Sequence, residues 1–110
     1  MNAETAQARQ HVLAHAAIEQ RRSHAEAVRW YRRAAEQREP QAEYALGLCL
    51  AEGEGLPKDL VEAYKWIFLA SAHGHTNATR FKPALEQKLS PDQKARAEQL
   101  AAAALAGAKP

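Results

Sequence analysis

"HAEAVRWYRRAAEQREPQA" (residues 24–42) and "VEAYKWIFLASAHGHTNA" (residues 61–78) decide the fold, because the second is a copy of the first. An offset of 36 positions pairs Ser23 with Asp59, Glu26 with Glu62, Ala27 with Ala63, Trp30 with Trp66, Ala34 with Ala70 and Ala42 with Ala78. Tyr31 then falls on Ile67, and Ala35 on Ser71. Ala27, Trp30, Tyr31 and Ala34 lie at i, i+3, i+4 and i+7, which is one face of a helix. The shared residues are thus a helix start and one apolar stripe. Both tryptophans are accordingly expected in the core. The copies differ at Arg32-Arg33 against Phe68-Leu69. Two arginines suit a solvated face, whereas Phe and Leu need covering, and the C-terminal helix pair is the expected cover.

Composition agrees with a helical repeat. The chain has 110 residues, enough for one domain with a modest core. Its apolar content rests largely on 26 alanines, strong helix formers that bury little surface, while β-branched residues are scarce. The formal net charge of +2 gives no electrostatic argument for nucleic acid or membrane. Cys49 is the single cysteine, which excludes an internal disulfide and a thiolate-based zinc site. No apolar run approaches the roughly 20 residues that span a bilayer. "MNAETAQARQH" (residues 1–11) lacks the basic-then-apolar order of a signal peptide, so a cytoplasmic protein is expected.

Helix starts and stops divide the chain. "SHAE" (23–26) and "DLVE" (59–62) each place Glu three positions after a capping residue, and "SPDQ" (90–93) does the same with Gln and with Pro91 at the first helical position. Pro40 opens a helix in the same way. "EGEGLPKD" (52–59) is a stop, with glycines for left-handed backbone and a proline that cannot continue the helix. Six helices follow, at about 5–21, 24–38, 40–52, 60–73, 77–89 and 91–106, ends uncertain by roughly 2–4 residues. Short connections make neighbours antiparallel. The expected fold is all-α, a right-handed superhelix of about three helical hairpins forming a single domain over 1–110. Its units are about 5–39, 40–76 and a degenerate capping hairpin at 77–106. Gly47 and Ala14 are expected to let paired helices approach closely, with the Trp of the second helix filling the groove beside them.

"AEYALGLCLAEGEGLPKDLVEAYKWIFLASAHGHTNA" (42–78) resembles the Sel-one-like repeat, a relative of the tetratricopeptide repeat. The resemblance rests on Ala42, Leu46-Gly47, the Gly53–Gly55 turn, Pro57, Asp59, Ala63, Trp66, Ala70 and Gly74. Arg38 departs from it, standing where the family favours Gly, and so does Leu50, where the family favours Tyr. In the last hairpin Ala97 takes the Trp position. The resemblance implies a non-catalytic scaffold that binds a peptide or a partner protein on the curved surface lined by the first helix of each pair.

On that basis, partner contacts are expected on the side of the 40–52 helix opposite Leu46, Gly47 and Leu50. They are Gln41, Tyr44, Leu48 and Glu52, with Tyr44 foremost, and His11 and His15 at matching places in the first unit. Tyr44 lining only the seam between repeats is an equally weighted reading. A homodimer through an exposed end of the stack is a further expectation. The alternative function is metal or small-ligand binding through histidines. His11 and His15 have the i, i+4 spacing of a shared metal, and His73 and His75 flank Gly74, but no third ligand is placed by the sequence. No metal or cofactor is therefore assigned. The arginines of 21–38 read as an ion-paired solvated face, without free aromatics for stacking nucleic-acid bases. No nucleophile triad, carboxylate pair or phosphate loop is present, and no catalytic residue is assigned.

Overall fold

The protein was analysed as a computed structural model, which describes residues 23–107. These form an all-α helical repeat solenoid with five helices: α1 (23–36), α2 (Pro40–Glu52), α3 (Leu60–Ala72), α4 (Thr76–Glu86) and α5 (Pro91–Ala106). The expected helix at 5–21, with His11 and His15, lies outside the described residues.

The cap signals act largely as read. Pro40 and Pro91 occupy first helical turns. Ser90 Oγ accepts from the Gln93 N–H at 3.1 Å while Gln93 returns the bond to the Ser90 N–H at 2.9 Å, a complete capping box. Asp59 accepts from the Glu62 N–H at 3.1 Å, but this box is half made. The Glu62 carboxylate turns away from the cap to accept the Trp66 indole N–H at 3.3 Å and to pair with Arg32 at 3.5 Å. Ser23 is already helical, so it is not the cap that its alignment with Asp59 assigns.

Chain reversals follow the 36-residue period. After α1, the Glu39 N–H donates to the Ala34 carbonyl (3.2 Å); after α3, the His75 N–H donates to Ala70 (2.9 Å). This six-to-one closure requires left-handed backbone at the residue before. Gly74 supplies it at φ 94°, and Arg38 supplies it at φ 64° despite its Cβ. The turn at Gly53–Gly55 has a second role. A Cβ on Gly55, itself at φ 79°, would stand 2.7 Å from the His24 carbonyl oxygen, so this glycine lets the loop rest on the start of α1.

The core is centred on α3, which packs against α2, α4 and α5. Ala63, Ile67 and Ala70, fully buried, form its stripe toward α2. Gly47 does permit a close approach, but Ile67 fills the space, and Trp66 does not. A Cβ on Gly47 would lie 2.7 Å from Ile67 Cδ1. Trp66 is buried on another side of α3, on the wall of a cavity bounded across from it by Ala104, Leu105 and Gly107 of α5. Trp30 is not core: it is 67% exposed, with Arg33 over its ring at 5.6 Å. The period predicts burial for both tryptophans only if both are covered alike, and α5 has no counterpart over Trp30 among the described residues. The stripe of α1 accordingly shifts to Val28 and Ala35, both buried. Phe68 and Leu69 are covered as expected. Lys82 of α4 lies 4.7 Å over the Phe68 ring, and Leu69 shares the cavity with α5.

Candidate functional site

Helix α2 has two unlike sides. Ala42, Glu43, Leu46, Gly47 and Leu50 are buried, the apolar ones against α3. Gln41, Tyr44, Leu48 and Glu52 project from the other side at i, i+3, i+7 and i+11. Gln41 and Glu52 are exposed, and Tyr44 and Leu48 are half-buried. The four residues form one strip from the first turn of α2 to its last, where Gly53 closes the helix with left-handed backbone and an N–H to the Cys49 carbonyl.

At one end of that strip two of the four residues are gathered by a third that the sequence reading did not place there. The Tyr44 ring stacks on His75, centroids 4.4 Å apart and planes 23° apart. Gln41 Oε1 lies 2.8 Å from His75 Nε2. Tyr44 therefore sits in the seam between α2 and the start of α4, with one ring face occupied. The second copy reads His75 where the first reads Glu39, a divergence visible in the sequence but silent about direction.

His73 reaches the opposite side of α2. Its Nδ1 and Glu43 Oε1 share a hydrogen bond of 2.7 Å, and Glu43 is only 1% exposed. Burial pushes the Glu43 carboxyl above the usual carboxylate range, and the His73 hydrogen bond pulls it partly back. The pair lies on the wall of a cavity of about 240 Å³ between the ends of α1, α3 and α5, with Arg38, Trp66 and Leu105 around it.

The two described histidines that flank Gly74 are thus turned to opposite sides of α2 and do not converge on one point. Both ring nitrogens of His75 are engaged, one by Gln41 and the other by the Ala78 N–H at 3.1 Å. Among the described residues no three His, Cys, Asp or Glu side chains are grouped as a metal site would need. Cys49 is half-buried, and burial holds its thiol above the ordinary range, so it is a packing residue with little thiolate character. None of the described helices is long and apolar enough to cross a membrane.

Comparison with known proteins places this geometry. The family model of the Sel1 repeat matches residues 18–38 and 40–75. Over 57 residues, 52% of this chain, the sequence is 46% identical to the chitin synthase regulator SKT5 of Malassezia restricta. A similar solved structure is c5321, a protective antigen of uropathogenic Escherichia coli displaying an SLR fold. It superposes with a TM-score of 0.71 at 31% identity over 74% of this chain. The chain spans 4% of the length of the fungal regulator and 18% of the antigen chain. With both copies of the period covered by the family model, the chain belongs to the Sel1 repeat family.

Proposed function

We propose that this protein is an interaction scaffold that holds a peptide or a partner protein on its concave face, against the strip of α2 that faces away from α3. Sel1 repeats generally mediate protein–protein interaction and are typically non-catalytic. The observation that carries the reading is the asymmetry of α2. One side is committed to α3, while Leu48 and Glu52 continue a partly apolar, partly acidic strip beyond the Tyr44–His75 stack. A strip of this kind suits an extended peptide or a helix laid along it, where a few apolar anchors supply affinity and a charged rim supplies register. His11 and His15, the matching positions of the first unit by sequence, lie outside the described residues. The match to a regulator of an enzyme is in keeping with a role exercised on another protein.

Affinity capture from the source organism, with quantitative comparison of variants, tests the reading. A partner held by the parent chain and by Arg29→Ala, but lost from Leu48→Glu with folding intact, is the expected result. If Leu48→Glu and Glu52→Lys retain every partner of the parent, the strip is not the binding surface. Light scattering of the same samples tells whether a second copy occupies it.

A further inference from the structure

We propose that His75 is a pH-sensitive pin, whose neutral imidazole holds the start of α4 to α2 and whose protonation releases it. One donor in this cluster cannot be anything else. A backbone N–H only donates, so the Ala78 N–H at 3.1 Å requires His75 Nδ1 to be an unprotonated acceptor. A neutral imidazole with Nδ1 bare carries its proton on Nε2, and Nε2 faces the Gln41 carbonyl oxygen at 2.8 Å, which accepts it. The two contacts demand the same tautomer. The Tyr44 ring then fixes the plane of the imidazole by stacking on it.

His75 is also the N-cap residue of α4. Its ring does the work usually left to Ser, Thr, Asp or Asn, satisfying one of the free N–H groups of the first turn. Glu39 holds the same place before α2, 36 residues earlier, and makes no side-chain cap bond. Capping by imidazole has a consequence that capping by hydroxyl or amide lacks. A proton added to Nδ1 removes the acceptor, turns two donors toward each other, and sets a positive charge at the positive end of the α4 dipole. Among the described residues no carboxylate lies at hydrogen-bond or ion-pair distance from the His75 ring to offset this. From α2 it meets Gln41 and Tyr44, and from α4 Ala78 and Thr79, the latter through the His75 carbonyl.

The neighbouring titratable pair acts in the opposite sense. On the end of α3, His73 is bonded to Glu43 of α2, so a proton on His73 turns that contact into a charge-assisted one while Glu43 stays ionised. Acid therefore strengthens the tie on one side of Gly74 and breaks the tie on the other. The contribution of His75 is present while its imidazole is neutral and is lost when Nδ1 takes up a proton.

Thermal unfolding of the full chain at about pH 7.5 and about pH 5.5, for the parent and for His75→Asn, tests the pin. Asparagine caps without titrating. The loss of one cap moves the midpoint of a domain this size by about 4–8 °C, so the parent midpoint is expected to fall by that much more than that of His75→Asn. His73→Gln, which removes the opposing gain, is expected to fall more steeply than the parent. In the parent itself, the Ala78 amide resonance is expected to shift with the titration of the His75 ring protons. Equal falls for parent and His75→Asn, or an Ala78 amide indifferent to that titration, would overturn the proposal.

Discussion

Arg38 and Gly74 stand one period apart and share left-handed backbone, at φ 64° and φ 94°. Glycine adopts this conformation freely, whereas a residue with a Cβ bears about 1–2 kcal/mol of strain. After each, the N–H of the next residue, Glu39 or His75, closes the helix on the aligned alanine, Ala34 or Ala70. The first copy therefore holds an identical turn with a less suitable residue.

Replacing Arg38 with glycine is expected to stabilise the chain by about 0.5–1 kcal/mol, the strain relieved less the extra entropy of glycine in the unfolded state. Gly74→Ala is expected to lose about 1–2 kcal/mol at the equivalent turn. Denaturant midpoints for both variants check this. If Arg38→Gly weakens the chain, the contacts of the Arg38 side chain outweigh its backbone strain.

The Gly47–Ile67 contact makes a prediction with its own internal control. Alanine at 47 gains helix propensity, but its Cβ would fall 2.7 Å from Ile67 Cδ1 and 3.2 Å from the Ala63 carbonyl oxygen. Overpacking is expected to dominate, with a net loss of about 1–2 kcal/mol. Ile67→Ala removes both Cδ1 and Cγ1, which would lie 2.7 and 2.8 Å from that Cβ, and costs about 2–5 kcal/mol alone. The double variant is expected to be more stable than the sum of the two losses, a coupling that a double-mutant cycle reads directly.

Tyr64 and Glu86 tie α3 to α4 by a hydrogen bond of 2.6 Å. Burial, and then the Glu86 bond, raise the Tyr64 hydroxyl, while the Tyr64 bond, ahead of Lys94, lowers the Glu86 carboxyl. The raised tyrosine contributes stability below its ordinary value, about 10, that is lost as pH rises through its folded value. The lowered carboxyl contributes stability above its ordinary value, about 4.3, that is lost as pH falls through its folded value. Tyr64→Phe is expected to cost about 1–2 kcal/mol at neutral pH. It is also expected to flatten the alkaline limb of the stability profile. A mutant profile as steep as the parent's above about pH 10 would refute the assignment.

Glu43 is a buried acid whose ionised form is disfavoured by its surroundings. Because its folded value is raised, the native state gains stability as pH falls through that value toward the ordinary carboxylate one. Glu43→Gln keeps a hydrogen-bonding partner for His73 and removes the charge. It is expected to match or exceed the parent by up to about 1 kcal/mol at neutral pH, with the parent regaining ground in mild acid. Glu43→Ala leaves His73 unpaired beside a void and is expected to lose about 2–3 kcal/mol. Urea midpoints at two pH values separate the cases. Equal losses for Gln and Ala would mean that the charge itself is needed.

The period made the fold legible, since a helix start and an apolar stripe recur in the sequence at one offset, although in the structure only the turn after each helix keeps it. Helix ends from Pro40 to Ala106 agree with the reading within about three residues. What failed depended on neighbours. Trp30 and Trp66 are alike in sequence, and only the element lying over each decides burial. Ile67, not Trp66, meets Gly47, because a face of about 100° admits several residues and the crossing of two helices selects one. Of the expected contact strip, Gln41 and Tyr44 were legible as a face, but their partner His75 was not. A histidine cap lies outside the residue types that mark helix starts, and its reach across to α2 is set by the turn at Gly74.

Helix α3 is the common support of α2, α4 and α5. In a long array each unit leans only on its neighbours, and segments can fray one by one. Here the main interhelical seams from α2 onward pass through a single segment of 13 residues, beside the smaller contact of Tyr44 with His75. Loss of α3 would dissolve those main seams together, so α2 to α5 are expected to unfold as one cooperative block, with the most protected amides in α3.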